Sequence, residues 1–179
     1  MNYTEFLENK KYKAINKGIE IDRSNINDKL FDFQKDVTYW ALRKGRAAIF
    51  LDTGLGKTFI QLEWLRLISS KGLIIAPLSV ARQTVREAKK ININISYIRK
   101  QSDFTNGNNL YITNYEMIDN IDISYFDAIV LDESSILKSI GGGTRNKLFD
   151  KCKDISYRLC CTAHLLQMIM LNWVIMQNF

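Results

Sequence analysis

The segment Ile49-Phe50-Leu51-Asp52-Thr53-Gly54-Leu55-Gly56-Lys57-Thr58 runs from an apolar strand into a glycine-rich turn and then into a helix. Few folds accommodate that order. Gly54 and Gly56 let the backbone curl with its N–H groups pointing inward, and the helix N-terminus that follows adds further donors. A polyphosphate suits such a turn. Lys57 is placed to reach the β- and γ-phosphates, and the Thr58 hydroxyl to ligate Mg²⁺. Leu51 stands where the general pattern has its first glycine, so the pattern is incomplete at that position.

The rest of the chain has the rhythm this turn needs. Short apolar runs at Ala47–Leu51, Leu73–Ala76, Ile95–Ile98, Leu110–Thr113, Ala128–Leu131 and Arg158–Cys161 read as strands. Between them Lys57–Ile68, Val80–Lys90, Tyr115–Asn120 and Thr144–Cys152 read as helices. Alternation of this kind predicts an α/β fold with a mainly parallel sheet flanked by helices. Asp103–Asn109 and Gly141-Gly142-Gly143 are loops by their turn chemistry. Residues 1–30 are rich in Lys, Asn and Glu with weak periodicity, and are expected to form a helical or loosely packed lead-in.

Composition narrows the class. The 179 residues are 46% hydrophobic and 25% charged, with one Pro and nine Gly, which excludes a disordered tail, a collagen-like repeat and a flexible linker. No run reaches the roughly 18–20 apolar residues that span a bilayer. The polar start Met1-Asn2-Tyr3-Thr4-Glu5 lacks a signal-peptide core. A soluble cytoplasmic domain without membrane contact is expected. Cys152, Cys160 and Cys161 are too few and wrongly spaced for zinc, and adjacent Cys160 and Cys161 are expected as buried thiols on opposite faces of a strand.

A second chemical element is Ala128-Ile129-Val130-Leu131-Asp132-Glu133, an apolar strand ending in two acids. Ligands of parallel α/β sheets bind at the carboxyl ends of the strands, so this pair can face the phosphate loop. Asp132 would hold Mg²⁺ through water, and Glu133 would orient or deprotonate an attacking water. Alone, an acidic pair after a strand is an ordinary turn; beside Lys57-Thr58 it reads as catalytic.

In this order, with Asp132 lying 75 residues after Lys57, the two elements resemble the first RecA-like lobe of superfamily-2 helicases and translocases, nearest to Swi/Snf-related helicases of phages and mobile elements. The segment Asp52–Thr58 resembles motif I of that family, which tolerates a non-glycine first position. Ala76-Pro77-Leu78-Ser79-Val80 resembles motif Ia, Ile112-Thr113-Asn114-Tyr115-Glu116 motif Ib, and Asp132-Glu133-Ser134-Ser135 motif II. The Ser134-Ser135 ending departs from the usual Ala-Asp or Gly-His. Gln34, in Phe31-Asp32-Phe33-Gln34, lies 23 residues before Lys57, where the family places the glutamine that reads adenine.

The likeness covers residues 28–163, after a polar lead-in at 1–27. It implies a RecA-like P-loop domain using ATP and Mg²⁺, with Gln34, Thr53, Gly54, Leu55, Gly56, Lys57 and Thr58 on the nucleotide. Thr58 and Asp132 would serve the metal, and Glu133 and Lys57 catalysis. It also implies that Pro77, Thr113 and Asn114 line a nucleic-acid backbone path, DNA being favoured over RNA. The charge pattern agrees. Residues 81–100 carry six Lys or Arg against the single acid Glu87, in a chain of net charge +6, and Arg82, Arg86 and Lys89/Lys90 recur on one helical face. A stripe of that kind binds phosphates without reading sequence. Trp40, Trp64, Tyr97 and Tyr115 are expected in the core or in helix packing.

The strand Tyr157–Ala163 resembles the approach to motif III, but Thr162-Ala163 is followed by His164-Leu165 and the match stops there. Residues 164–179 contain no Lys, Arg, Asp or Glu and three of the five Met. A one-base frameshift near Ala163 accounts for this tail. Read two bases along, Met168-Ile169 must encode Asp, Asn172-Trp173 Leu, Trp173-Val174 Gly and Met176-Gln177 Ala, a register that suits the family. The alternative is a native hydrophobic terminus. On the frameshift reading the second lobe, with its arginine fingers, is absent.

The expected function is therefore the ATP-binding lobe of a DNA helicase or translocase from a phage or its bacterial host, slow in hydrolysis alone. A non-catalytic nucleic-acid-binding or interaction protein that retained the fold is the alternative. A small-molecule kinase is disfavoured, because no Arg-rich lid segment is recognisable.

Overall fold

A computed structural model of the chain describes residues 16–105, 107–133 and 142–163. Among these residues the elements are α1 (Asp32–Lys44), β1 (Arg46–Phe50), α2 (Lys57–Ile68), β2 (Gly72–Ala76), α3 (Leu78–Lys90), β3 (Ser96–Tyr97), β4 (Leu110–Asn114), β5 (Ala128–Asp132), α4 (Gly142–Cys152) and β6 (Tyr157–Thr162). The strands form one parallel sheet in the order β1-β6-β5-β2-β4-β3.

Every residue of β2, β4 and β5 is buried, as parallel strands covered on both faces require. Successive side chains go to opposite layers. Ile74, Ile112, Val130, Leu159 and Cys161 pack with Ile60, Trp64 and Ala81 of α2 and α3, while Leu73, Ile75, Ile129, Leu131 and Cys160 pack with Leu148 and Cys152 of α4. Cys160 and Cys161 thus occupy opposite faces as buried free thiols. Complete burial of one such aliphatic side chain stabilises the fold by about 1.5–3 kcal/mol.

Four readings of the sequence are revised. Asp32–Lys44 forms a helix whose periodicity is hidden, because two of its four buried residues, Gln34 and Thr38, are polar. The lead-in is closely packed where it is described: Ile26 and Leu30 are core residues. The main-chain N–H groups of Lys17, Gly18 and Ile19 donate to the carbonyls of Lys44, Arg43 and Leu42 at 3.3, 3.2 and 2.9 Å. Those carbonyls end a helix and lack intrahelical partners, so the lead-in serves as the C-terminal cap of α1. Tyr115–Asn120 is a 3₁₀ helix, not an α-helix, and Gly142 and Gly143 begin α4. The hydrophobic tail and the Ser134-Ser135 ending lie outside the described residues. No described helix is long and apolar enough to cross a membrane.

Candidate nucleotide and metal site

The sheet order decides what can meet at its carboxyl edge. Strand β6 lies between β1 and β5, pairing Phe50 with Thr162 and Asp132 with Cys161. The phosphate loop leaving β1 and the acids ending β5 are therefore separated by one strand, about 10 Å across two strand spacings.

The loop is built as its sequence requires. Gly54 and Gly56 have φ of +85° and +75°, the left-handed region where a side chain is strained. Gly56 is the N-cap of α2, and no side chain caps the helix. Its first N–H groups consequently point at the loop without a side-chain acceptor, the arrangement that favours an anion. Lys57 Nζ donates to the Leu51 carbonyl at 2.8 Å and to the Asp52 carbonyl at 3.1 Å, holding the ammonium inside the curl. Thr53 is held by its N–H on Asp52 Oδ1 at 2.7 Å, and Leu55 is exposed at the rim.

Gln34 is buried behind this loop. Its Oε1 accepts from the Phe31 N–H at 3.0 Å and its Nε2 donates to the Leu55 carbonyl at 3.2 Å. The carboxamide thus joins the start of α1 to the phosphate loop. A Cβ on Gly56 would stand 2.2 Å from Gln34 Nε2, so a glycine is needed there on steric grounds as well. Phe31 and Phe33 stack beside it with ring centroids 6.3 Å apart, and both are exposed.

On the opposite side of β6, Asp132 is 5% exposed and its Oδ1 accepts the Glu133 N–H at 3.0 Å. Burial raises the Asp132 pKa above its ordinary value; Gln61, the Glu133 N–H and Lys57 oppose that rise, while the Glu133 charge adds to it. The Lys57 charge thus reaches the Asp132 carboxyl across β6. Glu133 is half-buried with φ +45°, a left-handed conformation in a non-glycine residue. Strain of this kind costs on the order of 1 kcal/mol and is concentrated at functional sites.

The residues present fit a magnesium ion. Mg²⁺ keeps most of its water and takes one or two carboxylates with substrate phosphates. One buried carboxylate, Asp132, faces a loop ending in the Thr58 hydroxyl, and among the described residues no cluster of three His, Cys, Asp or Glu forms an all-protein cage.

The expected nucleic-acid residues divide. Arg82 and Arg86 are exposed on the outer face of α3, with Lys89, Lys90, Arg99 and Lys100 also exposed nearby in the chain. Pro77 is the N-cap of α3 and is half-buried. Thr113 and Asn114 turn inward. The Thr113 hydroxyl donates to the Ile98 carbonyl at 2.8 Å, and Asn114 Oδ1 accepts from the Tyr97 hydroxyl at 2.6 Å. Trp64 and Tyr115 are buried as expected, whereas Trp40 is 46% exposed because it lies on the outer face of α1.

One residue at the site is not visible from sequence. Gln61, four residues after Lys57 on α2, is fully buried beside the Asp132 carboxyl, and neither end of its carboxamide makes a hydrogen bond of good distance and angle. Glutamine in a helix ordinarily reads as a surface residue, and only its spacing from Lys57 could have signalled otherwise.

No protein-family model matches this sequence, and no characterised protein matches it by sequence. Solved structures do match in fold. The UvsW helicase from bacteriophage T4 superposes with a TM-score of 0.72 at 16% identity, over 96% of this chain and 74% of that one. The SWI2/SNF2 ATPase core of Sulfolobus solfataricus, solved with double-stranded DNA, gives 0.68 at 20% identity, over 86% of this chain and 36% of that one. A hypothetical ATP-dependent RNA helicase from Sulfolobus tokodaii gives 0.59 at 12% identity, over 98% and 54%. The six-stranded parallel sheet flanked by helices is the RecA-like fold that these helicase structures share with this chain.

Proposed function

We propose that this chain is the ATP-binding lobe of a DNA helicase or translocase. The observation that carries the reading is the meeting of an uncapped, glycine-curled helix N-terminus with a buried carboxylate across the single strand β6. The loop residues Thr53–Thr58 bind the polyphosphate of ATP, Gln34 lies toward the adenine, and Thr58 and Asp132 hold Mg²⁺. When bound, the ion neutralises charge on the phosphates and draws electron density from the bond to be broken.

The chain's own groups do the remainder. Lys57 exchanges its two loop carbonyls for phosphate oxygens, a trade of neutral acceptors for charged ones that strengthens its hydrogen bonds. Glu133, half-buried at the end of β5, orients the attacking water and accepts its proton. Arg82 and Arg86 on α3 contact the DNA backbone. An arginine finger reaching this site would speed hydrolysis by about 10³–10⁵, its worth in P-loop enzymes.

Binding of a fluorescent ATP analogue, with and without magnesium, tests the reading. Saturable binding that Lys57→Ala abolishes supports it. Nucleotide-independent DNA binding, indifferent to Lys57→Ala, would replace it with a non-catalytic nucleic-acid-binding protein.

A further inference from the structure

Helix α2 carries two fully buried polar side chains, and they are treated in opposite ways. Glu63 is completely partnered. It accepts from the Asn27 N–H at 2.8 Å and from Arg66 Nε and an Arg66 terminal nitrogen at 2.8 and 2.6 Å. Gln61 is equally buried, yet neither its Nε2 nor its Oε1 makes a hydrogen bond of good distance and angle among the described residues, and its carboxamide only approaches the Asp132 carboxyl. Leucine or methionine would fill the same space without that cost. A buried carboxamide left in this condition in a native core calls for a physical reason.

The place of Gln61 supplies one. Residues three and four apart share a helix face, so Gln61 lies one turn below Thr58 and Lys57 on the side of α2 turned to the sheet. Its carboxamide lies within reach of the Asp132 carboxyl, whose charge it favours. We propose that Gln61 is a positioning residue for Asp132: its amide donates to the Asp132 carboxylate in the magnesium–nucleotide complex and fixes the carboxylate's orientation toward the metal. Donors and acceptors behind a metal ligand commonly act in this way, setting the ligand's direction without touching the metal. The inference rests on the nucleotide-site reading above and adds to it a residue that neither the phosphate loop nor the acid pair includes.

The test uses the full chain with Gln61→Met and Gln61→Leu, both similar to glutamine in volume and free of polar ends. Affinity for a fluorescent adenosine diphosphate analogue is measured in excess EDTA and across a magnesium titration, and thermal melting is followed without nucleotide. Wild-type binding is expected to strengthen with magnesium. Both variants should melt at or above the wild-type temperature, because an unpartnered amide has been removed. They should bind the metal-free nucleotide as the wild type does, and need about tenfold more magnesium for the strengthening. An unchanged magnesium midpoint in variants that bind nucleotide overturns the proposal. So does a lowered melting temperature with equal losses in both conditions, which is what a merely structural glutamine would give. A wild-type chain that binds no nucleotide in either condition refutes the site reading itself, and the proposal with it.

Discussion

The Tyr115 hydroxyl donates to the main-chain carbonyl of Asp132 at 2.9 Å, inside the protein. Tyr115 follows β4 and Asp132 ends β5, with β2 between them in the sheet. The bond therefore clamps the strand end that carries the acid pair to the segment after β4. Burial, then the Asp132 charge, raises the phenol pKa well above its ordinary value, so the hydroxyl stays a donor throughout the range in which the protein is used. Tyr115→Phe keeps the ring packing and removes only the donor. Urea unfolding should show a loss of about 1 kcal/mol, the usual net worth of a buried hydrogen bond. Undiminished stability would show that the clamp contributes nothing.

The two loop glycines separate two costs. Both have positive φ, but a Cβ on Gly54 meets nothing within 4 Å, while one on Gly56 meets Gln34 Nε2 at 2.2 Å. Gly54→Ala should cost only the left-handed strain, roughly 1–2 kcal/mol. Gly56→Ala adds displacement of a buried carboxamide from both of its partners and should cost measurably more. Combining Gly56→Ala with Gln34→Ala should then be less destabilising than the sum of the singles, since the clash is removed once. Strict additivity in denaturant unfolding would refute the steric account.

Much of this arrangement is legible in the sequence, and the reasons are local. Strands β2, β4 and β5 announce themselves as uninterrupted apolar runs because both faces of a parallel sheet are covered. Helix α2 is predictable over its observed span because the glycine-rich turn fixes where it starts. Helix α1 is not, since the apolar periodicity on which such a prediction depends is broken where Gln34 and Thr38 are buried. The same blindness conceals Gln61. Hydrophobic patterning assigns a polar residue to the surface, and a polar side chain buried beside a carboxylate contradicts that assumption only in three dimensions. Thr113 and Asn114, expected on a nucleic-acid path, also hydrogen-bond inward, to Ile98 and to Tyr97 and Glu116.

Exposure of Arg82 and Arg86 on one face of α3 makes a quantitative expectation for DNA binding. Each arginine that neutralises a phosphate steepens the fall of log affinity with log salt by about one. The double variant Arg82→Ala/Arg86→Ala should therefore weaken binding to every sequence alike and flatten the slope by about two. Nucleotide affinity should be unaffected, because these side chains lie away from the phosphate loop along α3. Titrations of duplex DNA at several salt concentrations decide it. A steep, unaltered slope would move the DNA path to another surface.

Cys152, Cys160 and Cys161 are all buried free thiols. Burial pushes the Cys152 thiol up to about 12, and the other two well above their ordinary value. A thiol that holds its proton behind packed side chains is a poor nucleophile. None of the three should react with a thiol-specific reagent at neutral pH in the native protein, and all should react at the rate of unfolding once urea is added. The same shift fixes a pH dependence. Because the folded pKa of Cys152 lies above the unfolded value of 9.0, its contribution to stability is complete below pH 9.0 and is lost as pH rises toward about 12. Cys152→Ala should flatten that alkaline decline while lowering stability at neutral pH through the volume removed between α4 and β6. Denaturant midpoints at several pH values follow both effects. Rapid labelling of Cys152 or Cys160 in the native protein at neutral pH would show that the layer under α4 opens far more readily than its packing implies, and rapid labelling of Cys161 would show the same of the layer under α2 and α3.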